Sequence, residues 1–327
     1  MIFYLKLIRW QNLLIIVLTQ FLMRYAIMKP IAGLLNLRLI SDGSVVPLSL
    51  QLPLSDFIIL VLSTVAIAAG GYVINDYFDI RTDLINRGDI IVSKRISRRR
   101  AMMWHNILNI AGVLAGFYIS YRVGYLWLGI IFLLVSGLLY FYSSTYKRML
   151  LVGNIIVAVL TAMVPMMVLA FEIPVIYSHY SPLTDNMPSL LVLVYWVGGF
   201  SIFAFFTTLA REIIKDMEDF QGDSAYGSNS LPVVAGIGIS RAVVVSLQLI
   251  TLVLLIMVWA RYLSDYYTLV YMIIVIIVPL LVSTYFVLTG SGPAGFNKSS
   301  IFMKIVMLAG ILYSLLAWLI MDKGLLT

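Results

Sequence analysis

Residues 55–83 read SDFIILVLSTVAIAAGGYVINDYFDIRTD, a long, mostly apolar run that ends in one asparagine and three aspartates. A helix needs about 20 mostly apolar residues to cross the roughly 30 Å hydrocarbon layer of a bilayer. The stretch therefore reads as a membrane span, at about 55–75, that leads directly into carboxylates. Working outward, windows of the same kind fall at about 12–28, 101–121, 124–143, 152–171, 189–210, 241–262, 266–288 and 301–321. The connections are short hairpins except at 29–54, 80–100 and 211–240. Lys6 and Arg9 precede the first run, but no small-residue cleavage site follows it, so that run is expected to stay as a span.

Composition supports this reading. Of 327 residues, 62% are hydrophobic and 11% are charged, with mean hydropathy +1.01. A soluble domain carries about 25% charged residues, so the expectation is an all-α, polytopic membrane bundle of nine helices around a central cavity, forming one domain over 1–327. The absence of cysteine excludes disulfides, thiolate–zinc sites, iron–sulfur clusters and a cysteine nucleophile, and two histidines cannot build a histidine-rich metal centre. With nine spans, 16 Lys and Arg fall on the side of the N-terminus and 6 on the other. That bias predicts an integral cell (inner) membrane protein with a cytoplasmic N-terminus and an external C-terminus. The stretch Ile31–Ile40 is expected to be an interfacial helix, and Phe171–Pro188 an external loop.

Nine of the 15 acidic residues lie in two short segments on the predicted cytoplasmic side: Asp76, Asp79, Asp83 and Asp89, then Glu212, Asp216, Glu218, Asp219 and Asp223. At about 100° per residue, Asn75, Asp76, Asp79 and Asp83 share one helical face, and Glu212, Asp216, Asp219 and Asp223 share a stripe about 60° wide. Glu218 lies off that stripe. Like charges at i, i+4 destabilise a helix, so each stripe needs a counter-charge. Hard carboxylate and amide oxygens suit Mg²⁺ or Ca²⁺, and Mg²⁺ is usually held by one or two carboxylates plus substrate phosphates. Any single acid here could be a solvated loop residue paired with Arg81, Arg87 or Lys215. Two stripes, each at the end of an apolar span, point to function instead.

The same side carries cations. Lys94-Arg-Ile-Ser-Arg-Arg-Arg100 reads first as a positive-inside anchor touching anionic lipid, with Lys94 and Arg95 closest to the acids and best placed for a phosphate. The turn Tyr142-Ser-Ser-Thr-Tyr-Lys-Arg148 combines two cations with several hydroxyls, donors suited to phosphate oxygens. Asn154 and His105, inside spans, read as polar glue between helices. In a transporter or ion channel the carboxylates would sit near span centres, yet both stripes lie at span ends.

Across nearly its whole length the sequence resembles the UbiA superfamily of intramembrane prenyltransferases. Asn75, Asp76, Asp79 and Asp83 fill the family's first motif, Asn-Asp-x-x-Asp-x-x-x-Asp. Asp219, Asp223, Gly227 and Ser230-Leu-Pro232 resemble the second, with Arg211-Glu-Ile-Ile-Lys-Asp216 ahead of it. Tyr142-Ser143 with Lys147, Arg9 with Asn12, and Gly153-Asn154 match further family elements. After Asn86-Arg87 the chain departs from the proline-rich run that many members carry and reads Gly-Asp-Ile-Ile-Val-Ser-Lys94.

The resemblance implies a cavity open toward lipid and two Mg²⁺ ions bridging the acidic motifs and a prenyl diphosphate. It implies Asn75, Asp79, Asp219 and Asp223 as metal ligands, with Asp76, Asp83, Glu212 and Asp216 completing the catalytic shell. Arg87, Lys147 and Arg148, with Asn12 nearby, would neutralise the diphosphate. The implied partners are a prenyl diphosphate donor, a membrane-soluble or amphipathic acceptor and the lipid bilayer, with no nucleic acid. The form of Arg211–Asp223 looks most like enzymes that add a second geranylgeranyl group to geranylgeranylglyceryl phosphate, and an aromatic acceptor of quinone biosynthesis is the alternative.

Overall fold

The computed structural model describes residues 2–87 and 90–323, apart from the side chains of Asn86 and Arg87. Asp89 and the Arg87 side chain, both singled out above, lie outside the described residues. Among those residues nine helices are long and apolar enough to cross a membrane: Trp10–Leu34, Leu54–Phe78, Arg98–Val123, Leu126–Ser144, Val152–Leu183, Leu191–Glu218, Leu231–Leu263, Tyr266–Thr289 and Gly292–Asp322. Helix is what such segments must form, because hydrocarbon offers no partner for a free backbone N–H or C=O. All nine expected spans are present, and the differences lie at their ends.

The first span continues past Pro30 to Leu34, so Ile31–Ile40 is no interfacial helix. It holds the end of the span and the first strand of a small antiparallel hairpin, Asn36–Arg38 with Val45–Pro47. Leu35 leaves the helix in an extended conformation. The reversal is set by Asp42, whose carboxylate accepts the Ser44 N–H at 3.0 Å, and by Gly43 at φ +71°. Phe171–Pro188 is likewise mostly helical, since the fifth span runs through Pro165 and Pro174 to Tyr180 and ends in a 3₁₀ turn. The seventh span starts ten residues earlier than expected. Ser230-Leu-Pro232 opens it with proline in the first turn, where no N–H is needed, and a kink follows at Gly236, φ +84°.

Two apolar cores fill the bundle. One gathers Phe57, Leu60, Ile119, Phe132, Val168 and Phe171, the other Val244, Leu280, Val287, Met303 and Val306. The sixth span serves both, through Leu193 and Val197 in the first and Ile213, Ile214 and Met217 in the second. His105 is glue, as read: its Nδ1 lies 3.0 Å from the Gly70 carbonyl oxygen and beside Asn109, which accepts from Ser136 at 2.6 Å.

At the end of the bundle remote from the acidic motifs, Arg24 and Glu172 are buried together, 3% and 0% exposed. Arg24 Nε stands 3.3 Å from Glu172 Oε2, and the guanidinium lies over the Phe57 ring and donates to the Leu52 carbonyl. Glu172 Oε1 accepts the N–H groups of Gln51 and Leu52 at 2.6 and 2.9 Å. The pair bolts the loop before the second span to the first and fifth spans.

Candidate active site

The two acidic motifs are built alike. The second span stops at Asp79 (φ −87°, ψ 4°) and a short helix, Ile80–Arg87, resumes. The sixth stops at Asp219 (φ −88°, ψ 9°) and Phe220–Ala225 resumes. Backbone hydrogen bonds bridge each break in the same register, Asp79 N–H to Asn75 O and Asp83 N–H to Asp79 O, then Asp219 N–H to Lys215 O and Asp223 N–H to Asp219 O. The stripes expected on continuous helices are therefore each interrupted at an aspartate. Asp is a weak helix former that competes for backbone groups, and the break lets each short helix turn across the span ends. The two short helices touch.

Beneath them lies a polar pocket. Its lining includes Asn75, Asp79, Asp83, Lys147, Arg148, Glu212, Asp216, Asp219 and Asp223 from the expected site, together with Arg9, Tyr142, Asn154 and Lys215. Three expected members lie apart from that lining. Asp76 is held by Arg9, whose Nη2 donates to it at 2.9 Å. Asn12 lies one helical turn from Arg9 and near Tyr72, the ring beneath the Arg9 guanidinium at 5.1 Å. Lys94 is exposed in the turn beside the Val92–Ile96 bridge and does not line the pocket. Asn154 does more than glue helices: its amide donates to Asp216 at 2.8 Å.

Lys147 occupies the centre of the first motif. Its ammonium pairs with Asp79 and reaches Asn75 Oδ1 at 3.5 Å, while Asn75 Nδ2 donates to Asp79 Oδ2 at 2.7 Å. Burial works against the Lys147 charge, but Asp79 and Tyr142 outweigh it and hold its pKa above the ordinary lysine value. Arg9 is likewise held above its ordinary value: burial works against its charge, and Asp76, Tyr72 and Asp79 together outweigh it. Asp223 is pushed up by burial, with Asp219 and Asp79 adding repulsion.

The position of Lys147 depends on a tight turn. Tyr146–Arg148 is 3₁₀, Leu151 adopts φ +58°, and the fifth span begins at once with Gly153 against the Lys147 backbone. A Cβ on Gly153 would stand 2.8 Å from Lys147 Cα and 3.1 Å from the Tyr146 carbonyl oxygen. Asn229 N–H donates to Arg148 O at 2.9 Å and ties this turn to the loop after the second motif.

Six carboxylates and four cations line the pocket, which leaves it two charges negative. Such a lining repels a free diphosphate and attracts divalent cations. Among the described residues no three acidic or histidine side chains already stand close enough to hold one ion together. The donors that line the pocket, carboxylate and amide oxygens, suit Mg²⁺, which takes few protein carboxylates and fills its octahedron with water and phosphate oxygen. The Lys147 ammonium, set between Asn75 Oδ1 and Asp79, marks a position where these oxygens accept a cation. Arg9, Tyr142 and Lys215 were absent from the expected site, although each lies in a motif quoted above.

The profile of the UbiA prenyltransferase family matches residues 43–308. Among curated relatives, digeranylgeranylglyceryl phosphate synthase of Methanosphaera stadtmanae is 32% identical over 75% of this chain and 81% of its own length. That of Methanothermobacter thermautotrophicus is 38% identical over 60% of this chain, and the match spans 62% of the relative, just under two thirds. A solved structure of digeranylgeranylglyceryl phosphate synthase in membranes superposes over 96% of this chain and 98% of its own, at TM-score 0.59 and 22% identity. A UbiA homolog from Archaeoglobus fulgidus bound to DMAPP and Mg²⁺ gives TM-score 0.52 at 17% identity, over 95% of this chain and 98% of its own.

Proposed function

The chain belongs to the UbiA prenyltransferase family, and from that premise we propose that it transfers a geranylgeranyl group from its diphosphate to geranylgeranylglyceryl phosphate, with Mg²⁺. The observation that carries the reading is the meeting of both acidic motifs with Lys147 and Arg148 in one pocket at the span ends. The relatives, named digeranylgeranylglyceryl phosphate synthase, support this acceptor over an aromatic one. The positive-inside bias supports a site facing the cytoplasm within one integral-membrane domain, 1–327, of the inner cell membrane.

In this reading Asn75, Asp79, Asp219 and Asp223 hold the metal. When bound, Mg²⁺ neutralises charge that develops on the departing diphosphate. The protein's own groups do the rest. Lys147 turns from Asp79 to the diphosphate once the carboxylate has another counter-ion, and Arg148 joins it. Arg9, fixed by Asp76 and Tyr72, guards the far side of the pocket, and Asn154 orients Asp216. The interrupted helices roof the site, which keeps water from the allylic cation formed as the C–O bond ionises. Attack of the acceptor hydroxyl on C1 releases one proton, for which Glu212 and Asp216 are the carboxylates of the second motif outside the metal set.

The test is transfer of radiolabel from geranylgeranyl diphosphate by purified protein in nanodiscs, with and without Mg²⁺. Geranylgeranylglyceryl phosphate and 4-hydroxybenzoate are offered in parallel, beside Asp79→Ala. Mg²⁺-dependent labelling of the glyceryl phosphate alone, lost in the variant, is the expected result. Labelling of hydroxybenzoate instead would overturn the acceptor and keep the family chemistry.

A further inference from the structure

A second concavity shares no lining residue with the acidic pocket. It is an open groove of about 540 Å³ lined by Tyr77, Arg98, Arg99, Met102, Met103, Asn106, Ile107 and Ile110. Tyr77 comes from the end of the second span and the others from the first turns of the third. Positions 98, 102, 106 and 110 form one row at four-residue spacing, and 99, 103 and 107 form the next. The groove is thus the furrow between adjacent ridges of one helix, roofed at its head by Tyr77.

Its chemistry changes along its length. At the head stand two guanidinium groups, and Arg98 is stacked over the Tyr77 ring at 4.7 Å, which fixes the direction of its remaining donors. Below them the walls are methionine and isoleucine, with Met103, Ile107 and Ile110 49%, 48% and 60% exposed. From Arg98 to Ile110 the helix rises about 18 Å, close to the thickness of one leaflet, half of the roughly 30 Å hydrocarbon layer. A cationic head above an apolar furrow one leaflet deep matches a single two-part molecule.

We infer that this groove is a binding site for one phosphate-bearing lipid of the surrounding bilayer, its headgroup phosphate on Arg98 and Arg99 and one chain lying along Met103, Ile107 and Ile110. This differs from the general attraction of a basic cluster for an anionic surface. It assigns two of the cluster's cations to one molecule and gives the apolar residues below them a part.

The experiment is native mass spectrometry of the full chain in mild detergent, titrated with dioleoylphosphatidylglycerol or dioleoylphosphatidylcholine. One retained phosphatidylglycerol per chain is expected, with the zwitterionic lipid at least several-fold weaker. The double variant Arg98→Gln/Arg99→Gln should weaken retention roughly 20-fold, at about fivefold per arginine near a membrane surface. Arg100→Gln removes the same kind of charge one residue outside the groove and should leave retention intact. Ile107→Trp keeps every charge, fills the furrow and should also displace the lipid. Equal losses in Arg100→Gln and the double variant, or unchanged retention in Ile107→Trp, would overturn the site. So would a double variant that keeps its lipid but raises KM for a phosphate-bearing acceptor, because the occupant would then be substrate. Each variant is first matched to the parent in gel filtration and thermal midpoint.

Discussion

Lys147 pairs with Asp79 in the structure, and in the function proposed above it would serve a second anion, the diphosphate, once a metal took its place at Asp79. The two roles predict opposite signs for one substitution. Lys147→Gln should lower kcat/KM by about 10²–10³-fold, the scale for removing one donor to developing negative charge. It should also tighten binding of Mg²⁺ without donor, since Asp79 loses its competitor. Isothermal titration beside a radiolabel assay measures both, and weaker Mg²⁺ binding in the variant would refute the counter-ion role. Asp223 supplies a pH dependence. Its pKa is held above the usual carboxylate range by burial, so the folded protein takes up this proton at higher pH than the unfolded chain. The charge therefore costs stability above the raised value, and the cost fades as pH falls toward about 4, the unfolded value. Metal binding needs the deprotonated form. On mild acidification the increase in thermal midpoint caused by Mg²⁺ should shrink while the metal-free protein loses none of this group's stability, and Asp223→Asn should abolish the dependence. The residue types of the site were legible in the sequence because carboxylates grouped at span ends are costly until a cation meets them. That Asp76 spends its charge on Arg9 was not, since the αL turn that presents Arg9 (φ 51°) leaves no periodic trace.

At the scale of elements, the nine spans were legible from hydropathy because length and apolarity suffice to specify a membrane helix. Their ends were not. A helical wheel assumes an unbroken helix, whereas both acidic motifs break at an aspartate and turn over the pocket. The stripes still predicted convergence because Asn75 and Asp79, like Asp216 and Asp219, face the same way before the break. The hairpin at 36–47 was hidden for a related reason: its strands are three residues long, too short for an alternating pattern. The fourth-to-fifth connection offers a test of how elements carry chemistry. Gly153→Ala would set a methyl group against the Lys147 backbone, and overpacking of this kind costs about 1–3 kcal/mol. We expect a modest drop in thermal midpoint with a fall in kcat/KM of tenfold or more, because the displaced group is the lysine proposed above to bind the diphosphate. A variant that loses stability and keeps its kcat/KM would show that the turn tolerates the shift.

In the whole molecule, the sixth span belongs to both apolar cores and ends in the second acidic motif. The first motif ends the second span, within the first core, so each half of the bundle delivers one acidic end to the pocket. Orientation is the quantity that links this architecture to a cell, and the lack of cysteine makes it measurable without a background. A cysteine at Ser97→Cys should react with an impermeant maleimide only from the cytoplasmic side, and one at Ser41→Cys only from outside. The reverse pattern would invert the topology. The buried Arg24–Glu172 pair bears on a different property. The pocket at one end is charged, while a buried ion pair sits at the other, with the neighbouring loop N–H groups already satisfied. A seal at that end would leave a charged pocket open on one side only, so that binding there need not dissipate an electrochemical gradient across the membrane.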